Sequence, residues 1–147
     1  MKNFLLAGCL FLFFPAILQA QDAETQIKQV INSLFDGMRN ADAAAVAEVF
    51  SSASIMQTIA TDKSGKTIVR SEAVNEFSSF VGKQAKGAAD EQIVFETIKV
   101  DGPLAVVWTP YRFIYNGKYS HSGVNVFCLV KLGEQWKIQY LIDTRRK

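Results

Sequence analysis

The stretch YSHSGVNVF at residues 119–127 contains His121, the single histidine of the chain. It alternates in the manner of a β-strand. An imidazole with a reference pKa near 6.5 can exchange a proton close to neutrality. Arg112 could grip a carboxylate or phosphate through paired N–H bonds. Asn125 can donate and accept at once, and Trp108, Tyr119 and Tyr140 offer flat apolar faces. Gathered in one place, these six residues could form a small-ligand pocket with His121 as a base. Scattered, they are ordinary sheet residues.

Other chemistries lack their parts. One histidine and two cysteines, Cys9 and Cys128, make no recognisable first set of metal ligands, so no metal is expected. A serine triad lacks its acid, and no glycine-rich phosphate loop is present, so no cofactor is expected. The formal charge of +2 over 147 residues points neither to nucleic acid nor to an anionic membrane.

The first twenty residues read as a secretory leader. Lys2 gives a positive start, residues 4–18 are apolar, and Ala20 is a small residue at the end of Leu18-Gln19-Ala20. Cleavage is expected after Ala20. The apolar run is shorter than the roughly 20 residues that span a bilayer, and Pro15 interrupts it. LLAGC at residues 5–9 resembles a lipoprotein acylation motif at Cys9, but too few residues precede it to form an apolar core, so lipidation is the less favoured reading. Removing residues 1–20 from the 147-residue chain leaves 127, enough for one domain at 21–147 with its own core. Cys128 is then alone, and no internal disulfide can form. A secreted or periplasmic protein is expected, with no membrane association after cleavage.

A helical first part gives way to a β-rich second part, which predicts an α+β fold. Ile27, Val30, Ile31, Leu34, Phe35 and Met38 recur at three- and four-residue spacing, so the first helix buries one stripe. Asn40 and Ala41 end it, and Asp42 can cap a second helix through Val46, Val49 and Phe50. SIMQTI at 54–59 and KTIVR at 66–70 read as short strands, and Ser71 can cap a third helix carrying Val74, Phe77, Phe80 and Val81. Residues up to Asp90 read as loop. Four long strands follow at 92–100, 104–115, 118–131 and 135–145. Asp101-Gly102, Asn116-Gly117 and Gly133-Glu134 separate them, so the sheet is an antiparallel meander.

Two-residue turns set the register. Counting outward from each turn pairs Arg112 with His121, Trp108 with Asn125, Val106 with Phe127, Leu129 with Ile138, and Phe127 with Tyr140. Phe95, Val106, Trp108, Arg112, His121, Asn125, Phe127, Leu129, Trp136, Ile138, Tyr140 and Ile142 then face the helices. Glu96, Val107, Thr109, Ser120, Val126, Cys128 and Asp143 face away. Pro110 sits opposite Gly123 in this count, and a bulge there would turn some side chains to the other face.

Three helices, two short strands and a four-strand meander resemble the nuclear transport factor 2-like superfamily, and more narrowly its SnoaL-like and lumazine-binding families. The resemblance rests on LFDGMRNAD (34–42), VWTPYRFIYNGKYSHSGVNVFCLVK (107–131) and QWKIQYLIDTRR (135–146). It implies a cystatin-like cone: three N-terminal helices packed on a strongly bent antiparallel sheet, with a pocket at the open end. Relatives include isomerases, dehydratases and binding domains, and dimers through the sheet are common among them. Relatives that move protons often use a pocket carboxylate, and this register turns none inward. The expectation is therefore a binding protein for a small planar or anionic organic ligand, touching Trp108, Arg112, Tyr119, His121, Asn125 and Tyr140. The alternatives are a lyase or isomerase with His121 as base, and a homodimeric interaction module built on the outer sheet face.

Overall fold

The computed structural model describes residues 14–147, with side chains from residue 21 onward. The Cys9 motif and most of the expected leader lie outside the described residues. Three helices come first, α1 (Phe14–Asn40), α2 (Ala43–Glu48) and, after two strands, α3 (Val74–Gly82). Seven strands complete the fold: β1 (Phe50–Thr61), β2 (Thr67–Glu72), β3 (Ala89–Ile93), β4 (Thr97–Asp101), β5 (Leu104–Tyr115), β6 (Lys118–Leu132) and β7 (Gln135–Arg146). The sheet order is β2-β1-β7-β6-β5-β3, and β4 also pairs with β5. No described helix is long and apolar enough to cross a membrane.

The stripe on α1 does what its spacing predicts. Ile27, Ile31, Leu34, Phe35 and Met38 are buried against Val107, Phe127, Leu129 and Ile138 of the sheet. The Phe35 ring meets the Phe127 ring edge-on at 6.2 Å. Asp42 caps α2, its carboxylate accepting the Ala45 N–H at 3.0 Å. Asn116 and Gly117 both take positive φ, +51° and +73°, as a tight hairpin between twisted strands demands.

Several boundaries differ from expectation. Phe50 opens β1 instead of closing α2, and β1 runs for 12 residues. Ser71 lies in β2 opposite Gln57, while the residue before α3 is Ala73, which has no side chain able to cap. The strand expected at 92–100 is two strands. Ile93 pairs with Tyr111 and Thr97 with Trp108, so three residues span the gap that two cover on β5. The last hairpin before β5 turns on Gly102-Pro103, because Asp101 still pairs with Leu104. One pairing inside the sheet is also not antiparallel: β1 runs parallel to β7. Bulges interrupt the β1–β7, β5–β6 and β6–β7 pairings. Each extra residue bends its strand and adds twist, and together they curl the sheet around α1.

Candidate functional site

Two single-residue bulges decide which side chains face the helices. Ile114 pairs with Tyr119, as counted from the turn, but Phe113 pairs with His121. Ser120 is the extra residue. From there inward every β5–β6 pair is offset by one. Arg112 faces Ser122 and Trp108 faces Val126, while Tyr111, Thr109 and Val107 share a face with Gly123, Asn125 and Phe127. On β7, Leu129 pairs with Ile138 but Cys128 pairs with Tyr140, so Gln139 is extra. Beyond it Leu141, Asp143 and Arg145 turn inward, and Tyr140 and Ile142 turn out.

Four of the six expected site residues are therefore on the outer face. Trp108 is 44% exposed and Tyr119 50%. Arg112 is exposed, its guanidinium 5.8 Å from the centre of the Tyr119 ring. The Tyr140 hydroxyl donates to Gln57 Oε1 at 2.7 Å. His121 and Asn125 are on the concave face, as expected. Val106 and Ile142 also face out, whereas Val107, Thr109 and Asp143, expected outside, face in.

The concave face holds a polar cluster drawn from five strands. Asn125, 4% exposed, donates from Nδ2 to Glu91 Oε1 of β3 at 2.8 Å. Asp143 accepts from Thr58 Oγ1 of β1 and, at 3.1 Å, from Arg145 Nε. The Tyr111 hydroxyl donates to the Thr144 carbonyl at 2.9 Å and lies 3.2 Å from Asp143 Oδ2. His121 stands edge-on to Tyr111 at 5.7 Å and leans on Phe113 at 5.1 Å, with Nδ1 3.0 Å from Ser120 Oγ. Thr109, directly across the ladder from Asn125, is fully buried, and its hydroxyl has no partner among the described residues.

The expectation that no carboxylate points inward is thus overturned twice. Asp143 arrives through the Gln139 bulge. Glu91 arrives because β3 begins at Ala89, so the alternation of Ala89, Glu91 and Ile93 carries Glu91 to the inner face. That alternation was present in the sequence and could have been extended from Ile93 by one more step.

Electrostatics separate the groups. Part of Glu91 remains accessible by surface area, yet protein crowds its carboxyl. Burial lifts it to about 7, the Asn125 bond and Arg145 pull it down, and Asp143 pushes it up. Burial also lowers His121, and Arg145 adds to the lowering, so the neutral imidazole is favoured at neutral pH. Burial raises the Tyr111 phenol further, and Asp143 and Glu91 reinforce it. Glu72 is likewise raised, chiefly by burial, with Arg145 opposing. Such an arrangement can hold a polar organic molecule by its edge and its ring face, and can exchange a proton with it. No group of three His, Cys, Asp or Glu residues is placed to hold a metal ion among the described residues.

A separate open groove of about 360 Å³ lies between α1 and the start of β7, lined in part by Gln26, Gln29, Ser33, Trp136 and Lys137. Six residue steps along β7 lead from Lys137 to Asp143, about 20 Å at ~3.3 Å per residue, so this groove is not the polar cluster.

Residues 22–139 match the model of a protein family described as "Putative lumazine-binding". No curated protein matches the chain. Among solved structures it is similar to a nuclear transport factor 2-like protein of unknown function from Shewanella baltica OS155, with 14% identity, TM-score 0.67, and 86% of this chain and 96% of that one covered. A nuclear transport factor 2-like protein of unknown function from Silicibacter pomeroyi DSS-3 matches at 12% identity and TM-score 0.66, covering 86% and 98%. One with a cystatin-like fold from Novosphingobium aromaticivorans matches at 12% and 0.67, covering 88% and 86%.

Proposed function

The chain belongs to the lumazine-binding family of nuclear transport factor 2-like proteins, and from that premise we propose that it binds a small planar organic molecule against its concave polar cluster. Lumazine is a flat bicyclic heterocycle with carbonyl and N–H groups along its edges. The observation that carries the reading is unfilled hydrogen-bond capacity. Asn125 uses one amide proton on Glu91, and neither its own oxygen nor the second Glu91 oxygen takes a donor among the described residues. Buried polar groups are seldom left so, and a ligand can complete them. Phe113 and His121, both partly exposed on the same face, supply ring surfaces.

The protein works outside the cytoplasm in this reading, with residues 1–20 removed and the helix starting near Gln21. Thermal shift and calorimetry with lumazine test the binding. Saturable binding should stabilise the fold by about 2.7 kcal/mol at 100 times Kd. Asn125→Ala should weaken it at least about tenfold, because it removes an edge contact to the ligand. Arg112→Ala should leave affinity unchanged, since Arg112 lies on the outer face. Equal losses in both variants, or no saturable binding, would reject the site.

A second reading concerns that outer face. Val106 and Trp108 are 39% and 44% exposed side by side with Val126 and Cys128, an apolar surface suited to a two-fold pairing of identical sheets. Light scattering should give a dimer, and Trp108→Glu should give a folded monomer. A monomeric wild type removes this reading.

A further inference from the structure

The chemistry of the ligand edge follows from the state of Glu91, and it rests on the binding reading above. Glu91 Oε1 accepts from Asn125 Nδ2. Glu91 Oε2 and Asn125 Oδ1 have no protein donor among the described residues, and neither atom is sealed from solvent without a partner. They are two open positions beside one hydrogen bond.

Among the described residues no cation is hydrogen-bonded to Glu91, and Arg145 acts on it only from a distance. On β7, Arg145 is engaged with Asp143 at 3.1 Å and with Thr58 Oγ1 at 3.3 Å. Asp143 itself is a second acid in the same cluster. On β5, Tyr111 has turned its hydroxyl to the Thr144 carbonyl, and Arg112 is on the opposite face. On β6, His121 is favoured as the neutral ring. On β3, Asp90 is paired with Arg39 of α1 at 2.8 Å, and Arg39 also holds Asp36. Glu72 of β2 and Glu76 of α3 add further acid near the Asp143–Arg145 end. Acids predominate here, and the one nearby guanidinium is occupied.

We propose that Glu91 meets its ligand as a carboxylic acid, donating from Oε2 to a ring carbonyl while Asn125 Oδ1 accepts the neighbouring ring N–H. The ligand class is then the planar heterocyclic lactams and imides. Organic cations are disfavoured, because they would need Glu91 ionised. A carboxyl half protonated near pH 7 supports this assignment. Binding above neutrality must take up a proton, and affinity must fall about tenfold per pH unit there.

Calorimetry with lumazine at pH 6 and 8.5, in two buffers of different ionisation enthalpy, reads both quantities for the wild type and Glu91→Gln. A glutamine amide donates without a titrating proton, so the variant cancels any titration of lumazine itself. The wild type should take up close to one proton more than Glu91→Gln at pH 8.5. Its affinity should fall about 30-fold more between the two pH values. On the wild type alone, adding lumazine at pH 8.5 should bring up the infrared carbonyl band of a protonated carboxyl. Binding with no proton difference and no such band overturns the inference and leaves the binding reading intact. Absence of lumazine binding in both proteins overturns both.

Discussion

Gly123→Ala should cost about 3 kcal/mol of stability or more, a large effect for one methyl group. Gly123 sits opposite Tyr111 on β5 and opposite Arg145 on β7. The Tyr111 ring lies across it to place its hydroxyl by Thr144 and Asp143, two strands away. A Cβ at position 123 would stand 2.7 Å from Tyr111 Cε1 and 2.8 Å from Cζ, and would collide with the Thr144 carbonyl oxygen. The carbonyl is backbone and cannot swing aside. The need here is for space, since the backbone at Gly123 is ordinary strand. Denaturant unfolding measures the loss. A cost below 1 kcal/mol would mean that Tyr111 does not cross β6 as described.

Glu91→Gln should make the protein more alkali-tolerant. The folded carboxyl titrates at about 7, against 4.5 for an ordinary glutamate. A carboxyl raised in the folded state contributes its stability fully below the unfolded value and loses it as pH rises through the folded one. At about 1.4 kcal/mol per pKa unit the difference is about 3.5 kcal/mol at most, and partial exposure brings it nearer ~2. Glutamine keeps the oxygen that Asn125 bonds and carries no charge. Wild type and variant should match near pH 4.5, and the variant should lead by about 2 kcal/mol at pH 8.5. Parallel stability–pH curves would show that Glu91 ionises freely.

The fold was readable because its signals are redundant. The α1 stripe, the Asp42 cap and the Asn116-Gly117 turn each rest on local chemistry that tertiary packing did not override. The register near two of the three turns was readable too: Tyr115 opposes Lys118 and Leu129 opposes Ile138, whereas the turn before β5 sits one residue later than Asp101-Gly102 and shifts Thr97 from Val106 to Trp108. Farther out, one unopposed residue reverses every face, because side chains alternate with a period of two. Ser120 and Gln139 are such residues. Nothing in the immediate sequence of either marks it as the extra one, and Pro110 drew suspicion to the wrong place. His121 stayed on the inner face because it follows the Ser120 bulge on its own strand, whose alternation from His121 to Leu129 is unbroken. Arg112 and Trp108 were assigned through pairing across the bulge, and so were reversed. Glu91 is hidden differently: glutamate and aspartate are poor strand formers, so the strand reads as starting only at Gln92, whereas β3 starts at Ala89.

The most direct test is a two-dimensional ¹H–¹⁵N titration with lumazine, following side-chain N–H groups. The Asn125 amide on the concave face should shift and saturate, while the Trp108 indole N–H on the outer face should stay in place. A Trp108 signal that moves while Asn125 does not would contradict the concave site.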